Sequence, residues 1–381
     1  MVLQNKEKKM KLLKKGILLV FSSLAFATFT ISDEASAAEL SVSSNDISQE
    51  KIEIAKENWE NYANNLIMDT NNQLTDFYLG NGFTVDNLDT TNFPIIEKKS
   101  KDISYILQID QNNQILISTM YAAKLNELSL KKSDLMDNPV HLVGYKQSIF
   151  INDGYGHLEN LIGNDNTSPN ILKRATEDQP KSVVNLTGVL ENPDQINSTL
   201  TAPFDHVVLP WKSYEIQTDK PWCEWYAISS IMNNMSNKKV ISAEALIKQV
   251  YPKATSSQLN DINWIVKQNL NDTFNCVKNK YGMNLVVKSE KPNFTTIKNE
   301  IKTRKTPMIV DLTEIHNKPG HALVQIGYTA SSSTSNAPYY YYWNPWWEDT
   351  FVVSSSASYM QLSQYQYTPS RSITNFTKPK I

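Results

Sequence analysis

The chain has 381 residues and a mass of 43.3 kDa, room for two or three domains of ordinary size. Its residues are 40% hydrophobic and 10% aromatic, enough to build packed cores and to exclude disorder throughout. A net charge of −2 excludes a general nucleic-acid binder, two cysteines exclude a disulfide framework, and a single apolar run near the N-terminus excludes a multi-span membrane protein. The charge is unevenly spread. Residues 38–205 carry 12 Lys/Arg against 24 Asp/Glu, whereas residues 206–381 carry 19 against 12. An acidic half joined to a basic half points to two halves that touch. Two separately solvated surfaces are the alternative.

Taken in chain order, Lys6, Lys8, Lys9, Lys11, Lys14 and Lys15 form a basic head. The apolar run Gly16 to Ile31 follows, and Ala35-Ser36-Ala37 then offers an A-x-A cleavage site. That order reads as a secretory signal peptide over 1–37, cleaved after Ala37, and places the mature chain outside the cell, in a Gram-positive exporter. A permanent anchor is the alternative, but the run is short for a span and contains Ser and Thr.

Residues 46–67 carry Ile47, Ile52, Ile54, Trp59, Tyr62 and Leu66 at near-helical spacing without Gly or Pro, which predicts a helix. Short β-rich runs separated by turn residues follow over 72–160, including a hairpin with Gln111-Asn112-Asn113 in its turn. His141 and His157 stand apart in this stretch, without partner carboxylates, and read as structural or surface residues. The segment 38–163 is expected to be an α+β, β-rich domain with no chemistry of its own. Residues 164–205 are rich in Asn, Thr, Ser, Asp and Pro, which predicts a linker or exposed loop open to proteolytic nicking.

From 206 onward Trp, Tyr and Cys appear and the charge turns basic. Helices are expected at 223–236, 242–250, 258–270 and 294–303, and strands at 283–288, 307–312, 321–329, 338–344 and 350–353. Helices first and strands after predict an α+β domain with an antiparallel sheet over 206–381.

Chemistry concentrates in this last domain. Pro221 suits the first turn of a helix, and Ile228, Ile231, Met232 and Met235 make an apolar stripe behind Cys223. The Cys223 thiol is therefore expected at a helix N-terminus, where the dipole and free N–H groups favour a thiolate nucleophile. A buried, inert cysteine is the alternative. Cys276 has no such setting and reads as filler; a Cys223–Cys276 disulfide is the other state open to the two thiols. His321 opens an apolar strand after Pro319-Gly320 and is the preferred base, ahead of His316 in the preceding polar loop. Asn344, at the end of an aromatic run, could accept from the His ring and fix its tautomer, or simply cap a turn with Pro345. The Cys223 N–H and the Gln217 amide could stabilise an oxyanion. No His/Cys/Asp/Glu cluster has metal-ligand spacing, so neither a metal nor an organic cofactor is expected.

Together these motifs resemble the papain-like cysteine peptidases, and more closely the staphopains, secreted peptidases of staphylococci. The likeness runs through most of 206–381: Pro221-Trp222-Cys223 with Tyr226, SAEALIKQVYP at 242–252, PGHALVQIGY at 319–328 and WNPWW at 343–347. It implies a papain-like fold, Cys223, His321 and Asn344 as catalytic residues, and Gln217 at the oxyanion hole. It also implies a zymogen whose pro-domain, here 38–163, blocks the cleft until a protease cuts within 164–205. The partners it implies are protein or peptide substrates, the chain's own pro-domain and an activating protease, with room for a dedicated protein inhibitor and no nucleic acid. The pattern departs from the common Cys-Gly-Ser-Cys-Trp: Pro221-Trp222-Cys223-Glu224-Trp225 stands there, and Glu224 is expected to raise the thiol pKa. The rival functions are a secreted Cys-His amidase or acyl transferase, and a binding protein that keeps the fold without activity.

Overall fold

Two antiparallel-rich sheets organise the chain, and the larger runs through both of its charge halves. A computed structural model describes residues 40–67, 72–132, 139–152, 158–162, 182–192, 204–316, 318–331, 337–347 and 350–380. The expected signal peptide, His157, and residues 163–181 and 193–203 of the expected linker lie outside them.

Strand β1 (Ser41–Ser44) leads into the helix Gln49–Ile67, which matches the periodic run and buries Ala55, Trp59, Tyr62 and Ala63. Strands β2 (Phe77–Gly80), β3 (Phe83–Thr84), β4 (Thr90–Glu97), β5 (Ile103–Asp110) and β6 (Ile115–Ser118) follow. The β5–β6 hairpin turns through Asn113, whose φ of 64° suits Asn, and Asp110 accepts from the backbone N–H groups of Asn112 and Gln114. After Ser118 the chain does not continue as strand. Met120–Lys132 is a helix, because Tyr121, Leu125 and Leu128 recur at helical spacing and bury one face. Strands β7 (Val140–Tyr145), β8 (Ser148–Asn152) and β9 (Leu158–Ile162) complete this part. His141 is not isolated, contrary to expectation: its Nε2 lies 2.7 Å from Asp86 Oδ2, from a neighbouring loop.

Within the segment read as linker, β10 (Ser182–Asn185) pairs with β1 and β11 (Val189–Glu191) pairs with β2. Leu186 between them is fully buried, which explains why this polar stretch docks. The smaller sheet runs β10-β1-β7-β8-β9.

Beyond β12 (Phe204–Val208) comes the helix Cys223–Ser236, then Ala243–Val250. The helix expected at 258–270 is two short pieces, Ser256–Asn260 and Ile262–Ile265, because Asp261 breaks the run and caps the second piece by accepting from Asn263 N–H. A further helix, Leu270–Tyr281, carries Cys276 and ends at Gly282, whose φ is 59°. Next are β13 (Val286–Lys288), the helix Phe294–Lys298 and a π-helical turn over Asn299–Arg304. Strands β14 (Met308–Glu314), β15 (His321–Ser331), β16 (Tyr339–Trp343), β17 (Thr350–Ser354), β18 (Met360–Leu362) and β19 (Tyr365–Thr374) finish the fold.

The larger sheet runs β11-β2-β4-β5-β6-β17-β16-β15-β14-β19-β13, with β6 joined to β17 through Leu116–Val353, Ile117–Val352 and Ser118–Phe351. That seam unites the acidic and basic halves by backbone pairing and apolar side chains. The period-two alternation of β15 serves two cores. Ala322, Val324 and Ile326 face a cluster with Ile228, Ile231 and Met232, while Leu323 faces the other; the register shift at Gln325–Gly327 then inverts the alternation, so that Tyr328 and Ala330 also face that second cluster. The first cluster also takes in Trp59 and Tyr62, so the N-terminal helix packs into the same core as the Cys223 helix. The α+β architecture with an antiparallel sheet and a β-rich N-terminal region is as expected.

Candidate active site

Cys223 is the first residue of its helix. The residue before it, Trp222, offers no side-chain hydrogen bond to the helix end, so the first-turn N–H groups are left for another acceptor. Trp222 is itself pinned: its indole N–H donates to Leu259 O at 2.6 Å, and Lys220 lies 4.4 Å over its ring. Behind it the stripe of Ile228, Ile231 and Met232 is fully buried, and Asn237 ends the helix in the left-handed region. The thiol is half-buried and unbridged, and Cys276 is likewise free, so the disulfide alternative is not formed.

His321 opens β15 and is buried. Its Nε2 is 2.8 Å from Asn344 Oδ1, and the same Oδ1 accepts from Trp346 N–H at 3.0 Å. Because a backbone N–H fixes which end of the amide is oxygen, the imidazole must donate from Nε2 and keep Nδ1 as its lone-pair nitrogen. Trp346 stacks on the ring at 3.9 Å between centroids and 22° between planes. Asn344 is fully buried, so this hydrogen bond is shielded from water. Backbone N–H groups of Ala322, next to His321, and of Glu224 both favour the Cys223 sulfur as thiolate. His321 and Cys223 line one cleft of about 690 Å³, which also includes Pro319, Gly320, Ile265 and Phe274.

Burial sets the protonation states. It pushes the Cys223 thiol up to about 12, with the Glu224 carboxyl as the next contributor, against the N–H groups of Ala322 and Glu224. It pulls His321 down to about 4, against the Asn344 hydrogen bond. Thiol and imidazole therefore both rest uncharged at neutral pH.

Gln217 is held beside these elements by its backbone. Its N–H donates to Pro345 O at 2.6 Å, immediately after Asn344, and its side-chain Nε2 donates to Lys220 O at 2.7 Å. One amide hydrogen remains. The Asn344-Pro345-Trp346 turn thus anchors the histidine and the glutamine together. His316 is elsewhere, with its backbone N–H on Glu314, and His206 sits in β12 with Nδ1 2.6 Å from Thr329 Oγ1. No group of metal-holding residues exists among the described residues.

Two residues of the cleft floor escaped sequence reasoning. Asp311 on β14 and Arg371 on β19 are register partners and join Glu224 there. The only hint was a carboxylate inside the apolar run Met308-Ile309-Val310-Asp311-Leu312. The tip of the β7–β8 hairpin approaches the loop after Gln217. Gln147 Nε2 reaches Thr218 O at 3.5 Å, and Ser363 Oγ donates to Lys146 O.

Residues 205–374 match the family model "Staphopain peptidase C47". Staphopain B of Staphylococcus aureus strain MSSA476 is 21% identical over 354 residues, covering 85% of this chain and 86% of that protein. The Staphopain B of strain NCTC 8325 / PS 47 gives the same identity and coverage. The crystal structure of UfSP from C. elegans aligns at 11% identity over 49% of this chain and 36% of that one, with a TM-score of 0.29, too low to bear on the fold. A helix-opening cysteine, a buried histidine–asparagine pair and the matched segment converge: residues 205–374 carry a domain of the staphopain cysteine peptidase family.

Proposed function

We propose that the protein is a secreted cysteine endopeptidase made as a zymogen, with Cys223 as nucleophile, His321 as base, Asn344 as its orienter and Gln217 in the oxyanion hole. The observation that carries this reading is the Nε2–Oδ1 hydrogen bond of His321 and Asn344, locked by Trp346 N–H, in the cleft that holds a helix-opening thiol. The proton of Cys223 passes to His321 Nδ1 as sulfur attacks the peptide carbonyl. The oxyanion accepts from Cys223 N–H and the remaining Gln217 amide hydrogen. His321 then protonates the leaving amine, and a water activated by the same imidazole hydrolyses the thioester.

Residues 38–163 are the proposed pro-domain, and 164–205 the proposed region of activating cleavage. The approach of the β7–β8 tip to Thr218, one residue after Gln217, supports a contact between the proposed pro-domain and the loop that carries the oxyanion-hole residue. The pairing of β10 and β11 argues against a cut within 182–191, so the cleavage is expected elsewhere within 164–205. The substrates are proteins or peptides, and the basic head with its A-x-A site supports export.

The test is limited proteolysis of the full chain followed by an active-site-directed epoxide. Mass spectrometry should find the label on Cys223 and not on Cys276, with peptide hydrolysis appearing only after a cut within 164–205. Label on Cys276 alone, or hydrolysis that survives Cys223→Ala, would overturn the reading.

A further inference from the structure

The cleft floor holds three ionisable side chains that the proposed reaction does not use. Arg371 Nε donates to Asp311 Oδ2, and Arg371 Nη2 lies 3.8 Å from Glu224 Oε2. Both acids are buried, whereas the arginine side chain keeps 34% of its surface exposed. Burial raises the Glu224 carboxyl well above the usual range; it raises Asp311 less, because Arg371 opposes it. Glu224 thus keeps its proton beside Asp311, and Glu224 Oε1 and Asp311 Oδ1 are buried atoms without a hydrogen-bond partner in the fold. With Glu224 neutral and Asp311 balanced by Arg371, the cluster sums to zero charge, and its solvent-facing member is the guanidinium.

Arg371 is held but not used up. Its Nε–H goes to Asp311, while its two Nη groups form no hydrogen bond among the described residues and lie in a residue that lines the cleft with Cys223. A planar fork with free donors, anchored from behind by a buried carboxylate, matches a carboxylate ligand. A basic side chain would meet the guanidinium first, and the carboxylates below are already paired. Ile265, Val266, Leu270 and Phe274 line the same cleft and suit the methylenes of such a ligand. The surplus of Lys/Arg in 206–381 favours the same sign of substrate.

We propose that Arg371 is a specificity-determining residue that receives a glutamate or aspartate side chain of the peptide substrate in the cleft beside Cys223, with Asp311 and Glu224 as positioning residues that fix its orientation. This rests on the peptidase reading above.

The full chain, nicked by limited proteolysis, is given pairs of fluorogenic peptides that differ by Glu against Gln, or Glu against Lys, at one position at a time. At one position kcat/KM for Glu should exceed that for Gln by about ten- to a hundredfold, the range of a charged hydrogen bond. The ratio should fall to near unity in Arg371→Gln and survive only in part in Arg371→Lys, which keeps the charge without the fork. Arg371→Gln leaves Asp311 buried without its cation, so the double variant Arg371→Gln/Asp311→Asn is measured as well and must show the same collapse. Equal rates for Glu and Gln at every position, or a preference for Lys, would overturn the assignment while leaving the peptidase reading intact. If no peptide is cleaved, the same pairs are measured by fluorescence anisotropy on the nicked Cys223→Ser chain. Glu-selective binding that Arg371→Gln removes keeps the arginine's role and sinks the peptidase; unselective or absent binding overturns the role too.

Discussion

The two halves of the large sheet spend their polar groups differently. In the N-terminal half, the Asn126 amide both donates to and accepts from the Ile103 backbone, Asp110 closes a hairpin, and His141 meets Asp86. Each of these contacts finishes a local turn or splint, and none of these residues lines the cleft. In the C-terminal half, Asn344 Nδ2 and Gln217 Oε1 are buried without partners, Arg371 keeps free donors, and the Cys223 helix starts without a side-chain cap. Leaving a buried polar group unpaired costs roughly 1–3 kcal/mol. The N-terminal half carries such atoms too, among them Thr90 Oγ1, Ser118 Oγ and Tyr121 OH, but those of Asn344 and Gln217 sit on the groups that hold His321 and the loop before Cys223, where a ligand can recover the cost.

The sharpest test of that contrast is the thiol. Cys223→Ala should abolish peptide hydrolysis and His321→Ala should nearly do so, whereas His141→Ala in the other half should leave the activity of the nicked chain intact. Rates from full progress curves, with circular dichroism to check folding, decide it. An active His321→Ala variant would return the choice to His316.

Next in size come the groups that hold the thiol's partners. Asn344→Ala and Gln217→Ala should each lower kcat by about 10²–10³-fold, the usual cost of a preorganised donor or orienter. Asn344→Asp is informative beside them, because it keeps an acceptor for His321 Nε2. If it were as poor as Asn344→Ala, the amide would have a role other than accepting that hydrogen bond.

Stability should not respect the division at all. Trp59 of the N-terminal helix is fully buried in the cluster that contains Ile228 and Met232. Trp59→Ala should cost about 3–5 kcal/mol, and both halves should unfold in one transition. Urea unfolding followed by far-ultraviolet circular dichroism and by tryptophan fluorescence would show it; two separated transitions would mean that the seam between β6 and β17 joins the halves only loosely.

The pH profile follows from burial of the histidine. A base must be neutral to accept the thiol proton, and His321 is held down to about 4. For the nicked chain, kcat/KM should therefore lose activity only as pH falls toward about 4, not near the ordinary histidine value of about 6.5. The thiol, held up to about 12, should add no second limb through neutrality. An acid limb centred near 6.5 would mean that His321 is solvated once the cleft opens.

These contrasts were unevenly legible in the sequence. The Cys223 helix showed itself through Pro221 and the stripe at helical spacing, and the His321 strand through its unbroken apolar run. The helix Met120–Lys132 was hidden because the β-rich Ile115–Ser118 runs straight into it, so two periods overlap within a few residues. Asp311 and Arg371 are 60 residues apart and each looks like an ordinary strand residue; only the β14–β19 register makes them neighbours. The seam between β6 and β17 is of the same kind, since pairing between distant strands leaves no local mark. Polar composition misled at 182–191, where a buried Leu186 and two short pairings outweigh the Asn and Thr around them.

The smallest expected effect concerns charge across the seam. Residues 38–205 are acidic and 206–381 basic, which favours their association. Their junction, however, is built from Leu116, Ile117, Phe351, Val352 and Val353 and from backbone pairing. Exposed charge pairs contribute only about 0.2–1 kcal/mol each, so apolar burial should dominate and charge should tune. Produced separately, residues 38–192 should inhibit the mature domain in trans. The inhibition constant should rise by a modest factor between roughly 50 and 500 mM salt, as the Debye length shrinks below about 10 Å. A neutral substrate keeps salt effects on catalysis out of the measurement. Tight inhibition with no salt dependence would leave the pro-domain proposal standing and remove the electrostatic part. A steep dependence that abolishes inhibition at high salt would reverse the ranking and make charge, not the β6–β17 seam, the main hold. Absence of inhibition at every salt concentration would mean that residues 38–192 act only as a continuation of the sheet and not as a block on the cleft.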